Sequence, residues 1–194
     1  MKKLIVSPSK IITRDLAVYD IEKLTRYYRQ ITSGGQVHPI FVVDLNLYPI
    51  KKFRQDLEKK KEDFTELEFG ILSFNSGKLE EGLDYKIKRG AKYLLCDGNH
   101  RGIAYTLAGL DIPAEQIERF EDIREIIKEL GDKALFTMHR NRSMRQFLFK
   151  QYRGICWGAF RQLYTIEDKV SILRRSNELK LENGVITYNP DTPF

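Results

Sequence analysis

Residues 97–101 read Asp-Gly-Asn-His-Arg and set a carboxylate, a glycine, an amide, an imidazole and a guanidinium within five positions. The apolar run YLLC precedes them and the small-residue run GIAYTLAG follows. That order predicts a buried strand over 93–96, a tight turn, and a helix from Gly102 to Leu110. Gly98 can take a positive φ without steric cost, so the turn fits there. Asp97 or Asn99 can cap the first helical turn. The free N–H groups of residues 99–102 would then converge above the strand's end, where the helix dipole adds partial positive charge. Such a place suits a phosphate or another anion. Arg101 could grip two phosphate oxygens with its planar fork, and His100 could act as acid or base near neutral pH. An Asp-Gly turn with nothing bound, and His100 as a mere cap, accounts for the same residues.

A second grouping is electrostatic. The chain has 194 residues with 33 Lys+Arg and 27 Asp+Glu, a formal charge of +6. Between Met138 and Tyr164 stand Arg140, Arg142, Arg145, Lys150, Arg153 and Arg161, and no acid, so this stretch carries the whole excess. At about 100° per residue, Met144, Leu148, Tyr152, Ile155, Ala159 and Leu163 share one helical face. Arg142, Arg145, Phe149, Arg153, Trp157 and Arg161 share the opposite one. Arginines interleaved with aromatics suit phosphate backbones and stacked bases, which makes Arg142, Arg145, Phe149, Lys150, Arg153, Trp157 and Arg161 the candidate nucleic-acid contacts. A solvated helix paired to nearby acids accounts for the same pattern.

Around these groups the sequence predicts a mixed α/β (α+β) fold: a small mixed sheet with flanking helices and a C-terminal helical region. LIV (4–6) reads as a strand. Asp20 to Ile31 reads as a helix with Asp20 as N-cap and Gly34-Gly35 ending it. PIFVVDL (39–45) reads as a strand. Residues 50–64 read as a charged, exposed helix with local ion pairs. ELEFGILSF and DYKIK, within 65–92, read as short strands between glycine turns. Pro113 is expected to open a helix through Leu130 that Gly131 caps. A final helix spans Asp168 to Leu181, and YNPDTPF trails as loop. Residues 1–118 would form the core, with 49–91 inserted, and 119–194 the helical basic region.

Composition excludes several classes. With 42% hydrophobic and 31% charged residues the chain is neither disordered nor fibrous. Cys96 and Cys156 match no metal spacing, and with only His38, His100 and His139 beside them a structural zinc site is not expected. No apolar run reaches the roughly 18 residues of a membrane span, and no targeting segment is read. The expectation is a cytoplasmic protein with reduced thiols and no membrane partner. Its oligomeric state is open, a homodimer included.

In this order, VSPSKI, IEKLTRYYRQITSGGQVHPIFVV, DGNHRGIAYTLAG and LAGLDIPAEQI resemble the ParB/sulfiredoxin superfamily, over roughly residues 4–48 and 92–118. The box is nearest to its Asp-Gly-His-His-Arg and Asp-Gly-Gln-His-Arg forms. The resemblance implies a bound nucleotide (ATP, ADP or CTP), with Gly98, Asn99, His100, Arg101 and Gly102 on its phosphates and His38 beside the pocket. It also implies Mg²⁺ with Asp97 as a ligand, and His100, Asp97 and Arg101 as the catalytic set. Asn99 stands where sulfiredoxins need a nucleophilic cysteine, which argues against that activity. Asn99-His100-Arg101 also replaces the Glu-Arg-Arg of partition proteins. Ser7-Pro8-Ser9-Lys10 stands where the free-serine kinases carry Pro-His-Glu, and Asp15, Asp20 and Glu22 are the poorly matched substitutes for that base. The resulting expectation is a ParB-like nucleotide-binding protein acting at DNA as NTPase, nuclease or regulator. The alternatives are a free-serine-kinase-like phosphotransferase and a non-catalytic interaction protein.

Overall fold

The computed structural model describes residues 1–13, 20–130, 141–157 and 163–189. Its centre is a pair of strands, β3 (Ile40–Asp44) and β4 (Tyr93–Asp97). Period-two alternation in both separates two cores. Phe41, Val43, Leu94 and Cys96 point into one, and Ile40, Val42, Tyr93 and Leu95 into the other. With both faces covered, such strands read as near-continuous apolar runs.

Six strands make the main sheet in the order β1-β5-β3-β4-β2-β6. The outer members are β1 (Lys2–Val6), β2 (Ile11–Thr13), β5 (Ile112–Gln116) and β6 (Tyr164–Thr165). β3 pairs antiparallel with β4 and parallel with β5, while β2 pairs parallel with β4 and antiparallel with β6. On one face α1 (Ile21–Thr32) and α7 (Ile166–Arg175) pack beside α4 (Asn99–Leu107). On the other lie α2 (Ile50–Lys59), α3 (Glu66–Lys88), α5 (Phe120–Leu130) and α6 (Met144–Trp157). The mixed α/β class expected from the sequence is therefore the observed one.

Several element assignments differ. Residues 66–88 form one 23-residue helix, not short strands. A capping box joins Thr65 to Glu68, and Leu72, Ser76, Leu79, Leu83 and Lys86 recur at helical spacing on the buried side. That face outweighs the interior glycines, each worth about 1 kcal/mol against a helix. Pro113 lies in a strand, opposite Ile5 of β1, and the helix after it begins only at Phe120. The last helix ends at Arg175, and β7 (Leu179–Glu182) and β8 (Val185–Tyr188) form a hairpin where helix and tail were expected. Asn183 and Gly184, both at positive φ, make its turn. α2 is not simply exposed, since Phe53, Asp56 and Leu57 are buried. Residues beyond 118 return to the sheet through β6 and α7, and α6 closes the core over α2 and α3. Gly131, Arg140, Ala159, Arg161 and Asp15 lie outside the described residues.

Candidate functional site

The strand–turn–helix at 93–107 forms as the sequence predicts. Gly98 adopts φ 102°, ψ 27°, in the left-handed region. A Cβ there would sit 2.6 Å from Ile40 Cγ2 and 3.1 Å from its Cα, so the turn needs glycine for conformation and for space. Gly102 N–H donates to the Gly98 carbonyl and starts the helical ladder. The N-cap of α4 is Gly98, which has no side chain to cap it, and the N–H groups of Asn99, His100 and Arg101 lie at the helix's positive end. Gly102 permits α7 to approach closely, since a Cβ there would meet Ile166 Cδ1 at 2.8 Å.

Around that end the structure gathers groups distant in sequence. Asn99 Oδ1 accepts from the Lys169 ammonium at 3.1 Å and from the Thr13 hydroxyl at 3.5 Å. Lys169 is fully buried on α7. His100 Nε2 accepts from the Asp20 backbone N–H at 3.3 Å. Burial, with Lys23 and Lys169 nearby, holds the His100 pKa below its ordinary value against the opposing pull of Asp20 and Asp97. The imidazole is therefore neutral at physiological pH, with Nε2 serving as acceptor. Asp20 Oδ1 itself caps α1, accepting from Lys23 N–H at 2.8 Å.

Three expected phosphate or metal contacts are placed differently. Arg101 is buried and turned inward. Its guanidinium donates to the Pro39 carbonyl at 2.6 Å, the His38 carbonyl at 3.3 Å and the Asp97 carboxylate at 2.8 Å. It clamps the loop before β3 onto the turn and does not reach outward for phosphate. Asp97 is its counter-ion, which commits one carboxylate oxygen. Among the described residues no three His, Cys, Asp or Glu side chains cluster to hold a metal. Asp97 is the one carboxylate of the turn, and its Oδ2 is engaged by Arg101. The His38 imidazole is exposed, 3.8 Å from Glu129 on α5, and only its carbonyl joins the turn. Gly98, Asn99, His100 and Gly102 remain at the helix end. Sequence reasoning missed Lys169 and Thr13. A lysine amid the buried positions Ile166, Val170 and Leu173 of one helix is the signal that could have found the first.

The basic helix α6 begins at Met144, after Arg142, and is described to Trp157. Leu148 and Tyr152 are buried as expected, but so is Phe149, whose ring packs 5.1 Å from Phe53. Phe149 is a core residue and offers no face to a base. Arg145 forks onto the Asp56 carboxylate, with Nε to Oδ2 at 2.6 Å, and Tyr48 Oη donates to the same oxygen at 2.6 Å. Hydrogen bonds from Arg145, then from Tyr48, hold Asp56 below the usual carboxylate range against the opposing effect of burial. Arg142, Arg153 and Trp157 are exposed, and Lys150 is half-buried. Between α2 and α6 runs a groove of about 630 Å³ lined by Lys59, Lys60, Arg145, Lys150 and Arg153, with Asp56 and Asp63 as its carboxylates.

Comparison with protein-family models, curated proteins and solved structures finds no match. No helix among the described residues is long and apolar enough to cross a membrane.

Proposed function

We propose that the chain is a ParB-like nucleotide-binding protein acting at DNA, with the nucleotide phosphates seated on the N-terminal end of α4. The observation carrying this reading is the buried Lys169 ammonium beside Asn99, at a helix start that only a left-handed Gly98 permits. Backbone donors, the helix dipole and a desolvated cation all favour an anion at the same point. Phosphoryl chemistry needs positioning and charge neutralisation more than covalent groups, and this arrangement supplies both. Neutral His100, with Nε2 accepting from Asp20 N–H, has Nδ1–H as a donor. The basic side chains of α6 and of the segment after α2 supply the surface for a nucleic-acid backbone.

Thermal unfolding with ATP, ADP or CTP, with and without Mg²⁺, tests the nucleotide half. At a hundred times its dissociation constant a ligand adds about 2.7 kcal/mol of apparent stability. Wild type should shift with at least one nucleotide, and a folded Lys169→Met variant should lose most of that shift. No shift with any nucleotide overturns the reading, as does an undiminished shift in the variant.

A further inference from the structure

We propose that the groove between α2 and α6 binds single-stranded nucleic acid, with its lysines and arginines on the phosphates and Trp157 stacked on a base. This rests on the nucleic-acid half of the function above and is independent of the nucleotide half.

The charge is arranged across a gap. Lys59 and Lys60, at the end of α2, form one wall, and Arg145, Lys150 and Arg153 on α6 form the other. Among the described residues, five cations thus line the groove against two carboxylates. Asp56 is taken up by Arg145 and Tyr48 in its floor, and Asp63 stands at the rim, 3.5 Å from Lys60 Nζ. Glu68, at the start of α3, lies near Arg153, but its carboxylate accepts from the Thr65 N–H at 2.9 Å in the capping box. A net positive groove of this kind tracks a phosphate backbone. In sequence, Lys59 and Lys60 belong to a charged, exposed helix with local ion pairs. The fold turns them toward α6.

The aromatic element selects a single strand. Arg145, Phe149 and Arg153 line the groove at steps of four, and Trp157 follows one turn past Arg153, just beyond that lining. Phe149 is 7% exposed, whereas Trp157 is 51% exposed at the end of the helix. A half-exposed indole can stack on an unpaired base, while bases inside a duplex present no open face.

Trp157 is the sole tryptophan, so intrinsic fluorescence reports on the site directly. The full chain is titrated with an oligothymidylate of about twelve nucleotides, with binding followed in parallel by anisotropy of a labelled strand. Saturable quenching is expected. The affinity should fall with salt at a log–log slope near −3, as for about four neutralised phosphates at roughly 0.7 each. Lys59→Glu combined with Lys60→Glu should weaken binding at least about tenfold with an unchanged melting temperature. By anisotropy, Trp157→Phe should bind nearly as well as wild type and Trp157→Ala several-fold more weakly. A charge-reversed variant binding like wild type overturns the proposal, as does Trp157→Ala binding undiminished. Tight binding of a matched duplex without quenching overturns the groove while leaving action at DNA intact. Absence of binding to either strand form overturns both. A nucleotide-dependent melting shift is unaffected by any of these results.

Discussion

Arg101 and Asp97 form an i,i+4 ion pair at 2.8 Å across the turn that joins β4 to α4, and the same guanidinium holds the Pro39 carbonyl at 2.6 Å. A residue that looks like a phosphate ligand in sequence is here the pin between two segments of the sheet's end. Arg101→Ala leaves two backbone carbonyls and a half-buried carboxylate without their donor. The expected loss is on the order of 3 kcal/mol in urea unfolding, as for breaking a largely buried pair. Arg101→Lys should recover little, because an ammonium cannot span the three acceptors as the planar fork does. A loss below about 0.5 kcal/mol, the range of inert surface changes, would show that the clamp contributes nothing.

Glycines separate sharply by position. Gly98→Ala must place a Cβ against Ile40 while keeping a positive φ, and strain of about 1–3 kcal/mol for the backbone alone is expected. Gly77→Ala, in the middle of α3 with nothing within 4 Å of the added carbon, should instead stabilise by about 0.5–1 kcal/mol through better helix propensity. Chemical denaturation of the two variants should give opposite signs.

The same contrast explains what was legible. Asp20 as cap of α1, the β-branched run of β3 and the apolar run of β4 each carry a local signal strong enough to be read. So does Gly98, because its turn is set within three residues. The helix α3 was not legible as one element because its glycines resemble turn residues, and its buried face becomes decisive only once α6 packs against it. The Asn183-Gly184 dipeptide carried a hairpin signal that the apparent continuation of α7 obscured. Lys169 reaches Asn99 across 70 positions, and Phe149 finds Phe53 across the core. No local pattern encodes such partners, so Lys169 and Thr13 went unseen and Phe149 was assigned to the wrong side of its helix.

His100 makes stability pH-dependent with a definite sign. Its folded pKa lies below the ordinary 6.5. Between that value and the lower folded one, the unfolded chain therefore binds more protons than the native state. Stability rises with pH there, is complete above about 6.5, and is lost as pH falls through the window. Each unit of separation corresponds to about 1.4 kcal/mol. His100→Gln should flatten the stability profile between pH 7 and 5, and a profile as steep as wild type would assign the slope to other groups.

Beneath the groove, Asp56 has its pKa lowered from 3.8 by Arg145 first, with Tyr48 adding to it. A depressed carboxylate contributes stability that is full above the unfolded value and disappears as pH falls below about 4. Burial and the hydrogen bond to Asp56 push Tyr48 well above its ordinary value, so the phenol remains a donor throughout. Tyr48→Phe should cost about 1 kcal/mol, the net worth of one hydrogen bond. Asp56→Asn should cost about 2 kcal/mol at neutral pH, since a charge-assisted bond to Arg145 is lost as well. The Asn variant should also lose less stability than wild type between pH 5 and 3. Because Tyr48 donates to Asp56 and each single variant already breaks that bond, the double variant should cost measurably less than the sum of the singles. Urea unfolding of all four proteins at pH 7 and pH 3.5 gives the coupling directly, and strict additivity would mean that Tyr48 and Asp56 stabilise the groove's floor independently.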